Sequence, residues 1–561
     1  MRKKMRFELF LEADPSVQEQ SKRALTNKFG ASLTPVCETE GHEESSVLHR
    51  FYDITLKVEA DKVWDVARDL ASVDGVLEVD PDIPQRAHLE SLLVSIEHEG
   101  EERLAAATVE EDNPAEGWYH EQTRFPQAIA YAIEQAKANQ GRYKGGESGI
   151  KIGQIDTGYT DHPEVVKIKK EAGYNFVSPP WWIRWLRHGW RHKAKDPIIN
   201  FIPFSWASHG TSSASVIMGT DTDQRNIIPG NEDRINGVFP YVDLIPYRIA
   251  NSVISFDNNM ARAGARAMQD GCQVVTVSHG SLIKSKMLET VVAECYEKGI
   301  IWFGASGTHV IKLKKLLAFP AKLRHTIAVA ASTVKGERWE WTHGGPRVDI
   351  CAPGYRIYRP FARRRGFRGW FGRVQYSYGW SDGSTFSTPI TAAAAALWLA
   401  HHGEDKLNDA YPEPWQRVEA FRAVLKSSAS PHSDPVEHTK YYGAGLLNVE
   451  DLIKSPLPDA GTLQHVGRPS VQVEAVAKSS VERITDKELT YLTGFAKVET
   501  EDQKGDELYH YVKARSSDTA RAVIEHIVQE EAPVAEAVES IQEENPKSEA
   551  LKAYVKRGLE I

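Results

Sequence analysis

The stretch that most limits how this chain can fold is a glycine-led turn that runs into a helix of small residues. It starts at Gly383, passes through Ser384 and Thr385, contains Pro389 and ends in an alanine block at 392–396. Small side chains let a helix lie deep inside a domain, and proline is tolerated near a helix start. The unpaired N–H groups of such a start can stabilise developing negative charge. The stretch therefore predicts a buried helix whose first turn suits a nucleophile, although an ordinary capped core helix shares the pattern.

Length and composition allow a multidomain globular protein. The chain has 561 residues, with 41% hydrophobic and 26% charged residues, which is ordinary for a folded domain. The formal charge of −9 at pH 7 argues against nucleic-acid binding by the chain as a whole. The four cysteines show no CxxC pairing or zinc-site spacing, so we expect free, mostly buried thiols at Cys37, Cys272, Cys295 and Cys351.

The amino terminus does not have the pattern of a secretion signal. A basic start, 1–4, is followed by alternating charges rather than by an apolar run. We find no stretch of about 18 apolar residues that could form a membrane span. The sequence therefore predicts a cytoplasmic protein, with export by an unconventional route left open.

Composition and periodicity divide the chain into five parts. Strand and helix signals in the order βαββαβ predict a small ferredoxin-like α+β domain at 1–84. An acidic linker with short helices follows at 85–126, then a large domain at 127–455 and a Pro/Gly-bearing linker at 456–470. The remainder, 471–561, is rich in Glu, Lys, Ala and Val, and is either an accessory domain or a helical tail.

Two further stretches carry candidate polar groups. Asp156 ends an apolar strand and precedes the turn at Gly158. In open α/β sheets the functional groups gather at the carboxyl ends of strands, although a lone strand-end Asp is more often a turn or cap residue. His209 precedes a run of small residues that predicts a tightly packed helix, and alone such a residue is more often a structural histidine than a catalytic one.

Together these motifs resemble a known family. Asp156-Thr157-Gly158 after a strand, His209-Gly210-Thr211 before a small-residue helix, and the turn from Gly383 to Pro389 resemble the three signatures of subtilisin-like serine proteases. Further segments resemble the family in the same order, at 237–244, 270–280, 298–307, 319–321, 348–354 and 442–448. The resemblance covers about 149–449 and implies an α/β subtilisin-like fold, a mostly parallel sheet with helices on both faces.

The resemblance also implies roles for individual residues. Asp156 matches the carboxylate that orients the catalytic imidazole, and His209 matches the general base and acid. The family's oxyanion-hole asparagine falls at Thr308, whose hydroxyl reaches less far than an amide. The segments that bind the substrate backbone match two tripeptides, Ser278-His279-Gly280 and Ala305-Ser306-Gly307.

The nucleophile position departs from the family pattern, because serine and threonine are exchanged. Counting back from Pro389 places Thr385 where the family has its serine. Three alternatives remain open: Thr385 acts as the nucleophile, Ser384 acts after a local backbone shift, or the site is impaired. The function implied is an endopeptidase that cleaves peptide bonds by a Ser/Thr-His-Asp acyl-transfer mechanism. The alternative is a pseudopeptidase that binds peptides or a partner through the edge at 278–280.

The sequence also suggests partners. Residues 1–84 resemble the family's inhibitory propeptide, so this unit is expected over the cleft, and the substrate is expected to be a protein or peptide. Two segments mix basic residues with tryptophan, one from Trp181 to Lys193 and the other from Arg363 to Trp380. They suit an anionic membrane or an acidic partner, or they pack together as a lid through cation–π contacts. We expect no nucleic acid, no cofactor and no metal site, although calcium is frequent in the family.

Overall fold

The fold was analysed in a computed structural model of the chain. It describes the following residues: 2–36, 47–59, 63–82, 84–86, 114–177, 194–198, 207–219, 236–250, 254–280, 285–307, 317–339, 341–365, 373–432 and 442–467. Four subjects of the sequence analysis lie outside these residues: the thiol of Cys37, the segment 181–193, Thr308 and the region 471–561.

The first 82 residues contain a four-stranded antiparallel sheet and two helices. Asp14 accepts hydrogen bonds from the backbone N–H groups of Ser16 and Val17, and Gly30 ends the first helix in a left-handed conformation. The strand order is β2-β3-β1-β4. The elements are β1 (Arg2–Leu11), α1 (Pro15–Phe29), β2 (Leu33–Pro35), β3 (Phe51–Glu59), α2 (Val63–Ala71) and β4 (Val76–Asp82).

The larger domain alternates strands and helices. A short strand, β5 (Pro84–Arg86), comes before it. Its elements are α3 (Trp118–Thr123), α4 (Phe125–Lys137), β6 (Lys151–Asp156), β7 (Tyr174–Asn175), α5 (His209–Met218), β8 (Asp243–Arg248), β9 (Ile254–Phe256), α6 (Asp257–Gln269), β10 (Val274–Val277), α7 (Lys286–Glu297), β11 (Ile301–Ala305), β12 (Thr326–Ser332), β13 (Ile350–Pro353), β14 (Ile357–Arg365), β15 (Arg373–Ser381), α8 (Ser384–His402), α9 (Glu404–Ala410), α10 (Pro414–Ser427) and α11 (Val449–Lys454).

A seven-stranded sheet forms the centre of this domain, in the order β13-β12-β11-β10-β6-β8-β7. All its neighbouring strands run parallel. Helices cover the sheet, so its central strands are buried, including every residue of β11 and β12. The predicted α/β fold is confirmed.

The alanine-rich helix α8 is buried as its sequence predicts. Its alanines at 392–396 are fully inaccessible, and Trp398 and Phe386 belong to the same core cluster. Small side chains allow α8 to lie close to the sheet, where it contacts β10, β11, β12 and β13. The start of this helix is thereby fixed at the carboxyl ends of the strands.

The core of the large domain extends beyond the predicted boundaries. Trp118 and Tyr119, which the sequence analysis assigned to the linker at 85–126, are buried in the main core. Leu457, Leu463 and Val466 from the predicted linker at 456–470 pack against the same core. The described cysteines, 272, 295 and 351, are buried free thiols. No helix in the described part of the chain is long and apolar enough to span a membrane.

The N-terminal unit docks on helices α6 and α7. Asp53 is buried there, where it accepts a hydrogen bond from the Asn258 side chain and lies 3.6 Å from a guanidinium nitrogen of Arg262. Arg6 donates to the Asn259 side chain at 3.0 Å. The apolar part of the contact adds Phe10 and Phe51 to the core cluster of the large domain.

The chain that leaves the N-terminal unit adds a strand to the large domain. The strand β5 pairs antiparallel with β9, with Gln85 opposite Ser255. Such pairing satisfies the backbone hydrogen-bonding groups of a sheet edge. The edge at β9 thus accepts an extended segment of peptide.

Candidate active site

Asp156 supplies a buried carboxylate at the carboxyl end of β6. Its Oδ1 accepts hydrogen bonds from His209 Nδ1 at 2.7 Å and from the Thr157 N–H at 2.6 Å, and its Oδ2 accepts from Ser213 Oγ at 2.8 Å. Burial alone would raise the pKa of Asp156, but the interactions with His209 and His279 hold it well below its usual value. Asp156 is therefore an ionised acceptor near neutral pH.

His209 opens helix α5, and its ring is held against Asp156. An ionised carboxylate can only accept, so Nδ1 of His209 carries the proton and Nε2 is the nitrogen able to act as a base. The side chain of His209 is 13% exposed. Its position depends on Ser208, whose φ is +65° and whose N–H donates to Asp196 Oδ2 at 2.7 Å.

Two glycines of the sequence motifs allow this contact. A Cβ on Gly210 would lie 2.1 Å from the backbone oxygen of Gly158, and one on Gly158 would lie 2.0 Å from the backbone oxygen of Ala194. Gly158 also has a φ of +93°, which side chains with a Cβ rarely adopt. The start of α5 can approach the strand-end turn only because residue 210 is glycine, and Gly158 is required by its φ and by the close approach of Ala194.

The two candidate nucleophiles are adjacent in the first turn of α8, but their side chains have different surroundings. Ser384 is 1% exposed, and its Oγ accepts a hydrogen bond from the Gly307 N–H at 3.1 Å. Thr385 is partly exposed, and its carbonyl oxygen accepts from Ser278 Oγ at 3.0 Å. The Thr385 hydroxyl itself makes no hydrogen bond within the described residues, and therefore none to His209.

The predicted substrate-binding tripeptides lie side by side. Ser278, His279 and Gly280 follow β10, and Ser306 and Gly307 follow the neighbouring strand β11, which ends at Ala305. All are buried, and Ser278 contacts the nucleophile turn through the Thr385 carbonyl. The oxyanion candidate Thr308 lies outside the described residues.

The side chain of His279 has a position that the sequence analysis did not predict. The family resemblance implies a role only for the backbone of His279, as part of a substrate-binding edge. Its buried ring packs edge-on against His209 with centroids 5.5 Å apart, and its Nε2 lies 3.5 Å from Asp156 Oδ1. The available signal was a polar residue at a buried position directly after a core strand.

Comparison with known proteins identifies the family to which the chain belongs. The model of the Subtilase family matches residues 147–445, which is 299 of 561 residues and more than half of the chain. The chain belongs to the subtilase family. Subtilisin E of Bacillus subtilis (strain 168) is 27% identical over 353 residues, covering 62% of this chain and 75% of the relative.

Other relatives show similar identity. Subtilisin DY of Bacillus licheniformis is 26% identical over 330 residues, covering 58% of this chain and 98% of the relative. The alkaline protease of Shouchella clausii is 24% identical over 336 residues, covering 59% of this chain and 71% of the relative. At the level of its family this subtilase is therefore a serine-type peptidase, and the family implies protein or peptide substrates.

The described parts of the second basic and aromatic segment of this subtilase, 363–365 and 373–380, lie in the antiparallel hairpin β14–β15, whose first strand contacts α5. Within it, the Arg363 guanidinium lies 4.7 Å from the ring centroid of Phe361. The hairpin is anchored where Ala362 exchanges two hydrogen bonds with Ser208 Oγ and where Tyr378 donates to Glu164 at 2.9 Å. These contacts agree with a packed element, and binding of an anionic membrane or acidic partner stays a prediction.

Proposed function

We propose that this subtilase hydrolyses peptide bonds by acyl transfer, with Thr385 as nucleophile, His209 as general base and Asp156 as the orienting carboxylate. The observation that carries the proposal is the 2.7 Å contact between the buried Asp156 carboxylate and His209 Nδ1. That contact fixes the ring tautomer and stabilises the imidazolium that forms when His209 accepts a proton.

The choice of Thr385 over Ser384 rests on burial and on hydrogen bonds. Ser384 Oγ is buried and already accepts from the Gly307 N–H, so its use as a nucleophile would require rearrangement of the turn. Ser387 and Thr388 are also buried, and their hydroxyls donate to the carbonyls of Ala352 and Ser384. Among the four hydroxyl-bearing residues of this turn, three are buried and Thr385 is partly exposed.

The chemical steps follow from these roles. His209 Nε2 takes the proton of the Thr385 hydroxyl as its oxygen attacks the peptide carbonyl, and the imidazolium is stabilised by Asp156. The tetrahedral oxyanion is stabilised by the Thr385 N–H at the start of α8. His209 then protonates the departing amine, and a water activated by the same base hydrolyses the acyl-enzyme. Catalytic hydrogen bonds are often long or absent in an enzyme without substrate. We therefore expect the hydrogen bond between Thr385 and His209 to form when substrate binds.

Labelling with a fluorophosphonate probe tests this assignment. We expect a covalent adduct on Thr385 of the purified full chain, absent from Thr385→Ala and His209→Ala and retained in Ser384→Ala. Thr385→Ser removes the methyl that restricts χ1, and should label about tenfold faster, which is about 1.4 kcal/mol in the barrier. Peptide mapping by mass spectrometry identifies the labelled residue. An adduct on Ser384 would contradict the choice of nucleophile.

A second candidate function is a pseudopeptidase that binds peptides without cutting them. Two observations favour it: Thr385 makes no hydrogen bond to His209, and the edge strand β9 pairs with an extended segment of the chain. This alternative predicts no probe adduct and no cleavage of casein, together with a higher Tm when peptide is added. The labelling experiment therefore separates the two functions.

We also propose that the N-terminal unit covers the cleft, since β5 occupies the edge at β9. Asp53→Ala removes a buried carboxylate from the Arg262 and Asn258 contacts, and should weaken docking by about 2–5 kcal/mol. We expect faster hydrogen exchange at the amides of Gln85 and Arg86, and faster hydrolysis of a short peptide. The control Asp65→Ala, which removes an exposed pair with Arg68 in the same unit, should change neither. Unchanged exchange in Asp53→Ala would contradict this docking.

A further inference from the structure

We propose that Asp156, His209 and His279 together bind a transition-metal dication of the Zn²⁺ class. One ligand atom from each residue can be chosen such that all three lie within 4.8 Å of one another. The three residues lie 53 and 70 positions apart in the sequence, so no short sequence motif contains this set of ligands. This proposal goes beyond the proposed function, and ion binding itself does not depend on it.

Two distances to Asp156 bear on an ion placed between the three side chains. His279 Nε2 lies 3.5 Å and His209 Nδ1 lies 2.7 Å from the same oxygen, Oδ1 of Asp156. In a tetrahedral zinc site, with bonds of about 2.0–2.1 Å, ligand atoms are about 3.3 Å apart. The pair of Asp156 and His279 already has about this separation. The pair of Asp156 and His209 would reach it if the partly exposed His209 ring rotated so that the distance from Nδ1 to Oδ1 increased by about 0.6 Å.

The chemistry of the ligands selects the class of ion. Two imidazole nitrogens and one carboxylate oxygen suit zinc, cobalt or copper, whereas calcium and magnesium prefer six or more oxygen ligands. With neutral imidazoles, the buried cluster has the single negative charge of Asp156, and a dication would offset it. The Ser213 hydroxyl holds Oδ2 at 2.8 Å, which orients the carboxylate in the way that metal sites require.

Ion binding would block the base. An ion bound to Nδ1 of a neutral His209 moves the ring proton to Nε2, and no proton is lost overall. Nε2 then has no lone pair with which to accept the proton of Thr385. This consequence for hydrolysis rests on the proposed function, and it makes ion binding and catalysis mutually exclusive.

Cobalt serves as the probe, because four-coordinate Co²⁺ absorbs visible light and takes the same ligands as Zn²⁺. We expect the EDTA-treated full chain to bind one Co²⁺ with visible absorption bands that Zn²⁺ removes. His279→Leu and His209→Ala should each weaken binding by about 100-fold or more, since each removes a ligand. The chain has 20 histidines, so a matched control is needed. His401→Leu removes a buried histidine at the far end of α8, about 25 Å along the helix from Ser384, and should leave the bands unchanged.

Two results would overturn the proposal: no Co²⁺ bands with the full chain, or bands of equal strength in His279→Leu. His279→Gln, checked by circular dichroism, replaces the leucine variant if that variant does not fold. Hydrolysis is measured separately. If Zn²⁺ inhibits casein cleavage and EDTA restores it, both proposals stand together. Co²⁺ bands without any cleavage would retain the ion site and reject the proposed function.

Discussion

Replacing His209 with alanine is expected to lower kcat/KM for a peptide substrate by at least about 10³-fold. The reason is that Nδ1 of His209 is held by the buried Asp156 carboxylate, which leaves Nε2 as the base for Thr385. The measurement is the hydrolysis of a short chromogenic peptide by the full chain. Asp156→Asn keeps the shape of the carboxylate but no longer fixes the tautomer, so it should cause a loss of about 10⁴-fold.

His401→Ala is the control for this prediction, because it removes a buried histidine at the other end of α8 and should leave kcat/KM unchanged. A comparison with His279→Leu could contradict the assignment of His209 as the base. Since its ring contacts the same oxygen of Asp156, activity that survives His209→Ala and disappears in His279→Leu would make His279 the base. In that case the assignment of His209 as the general base, which the family resemblance implies, would be wrong.

Local patterns explain why Asp156 and His209 could be proposed from the sequence. Each stands at one end of an element and near a glycine, Gly158 or Gly210, at which a Cβ would clash with neighbouring backbone. The position of His279 depends instead on the register between strands. Ile155 lies opposite Val277 in the β6–β10 pairing, so the residues just beyond β10 lie beside Asp156. A local sequence motif does not show which residues pair between two strands, so it could not place His279 beside Asp156.

Packing distinguishes residues that sequence patterns treat alike. Ser384 and Thr385 are adjacent hydroxyl residues, and their difference lies in the contact between Ser384 Oγ and the Gly307 N–H, which joins positions 77 residues apart. Trp118 and Tyr119 lie next to an acidic stretch, so their composition predicted a linker, although they belong to the main core. Which hydroxyl acts stays a prediction that the probe experiment tests.

A buried cluster of salt bridges lies next to the strand that contacts the nucleophile turn. Asp349, which precedes β13, is fully buried and accepts from Arg422 at 3.0 Å, with Lys426 at 2.8 Å on its other oxygen. Burial alone would raise the pKa of Asp349, but Arg422, Lys426 and Arg347 outweigh it and hold the pKa below its usual value. Its stabilising contribution is therefore present above about pH 4 and is lost as the pH falls through the lowered pKa.

This cluster connects to the site through β13. The Ser387 hydroxyl of the nucleophile turn donates to the carbonyl of Ala352 in that strand at 2.9 Å, and the Gly383 N–H donates to Gly354 at 2.7 Å. Arg422 also donates to the carbonyls of Thr326 and Arg324, which ties α10 to the start of β12. Loss of Arg422 should therefore loosen the strands on which the turn rests.

Arg422→Leu is expected to lower the free energy of unfolding of the large domain by about 3–5 kcal/mol, because it leaves Asp349 buried with only part of its compensating charge. Urea unfolding followed by tryptophan fluorescence measures this loss. Lys426→Met removes a partly exposed partner, 43% accessible, and should cost about 1 kcal/mol or less. The double variant Asp349→Ala/Arg422→Leu should be less destabilised than the sum of the single changes, because the unpaired charge is gone. Strict additivity would mean that Arg422 stabilises the domain through packing and its bonds to the carbonyls, and not by neutralising Asp349.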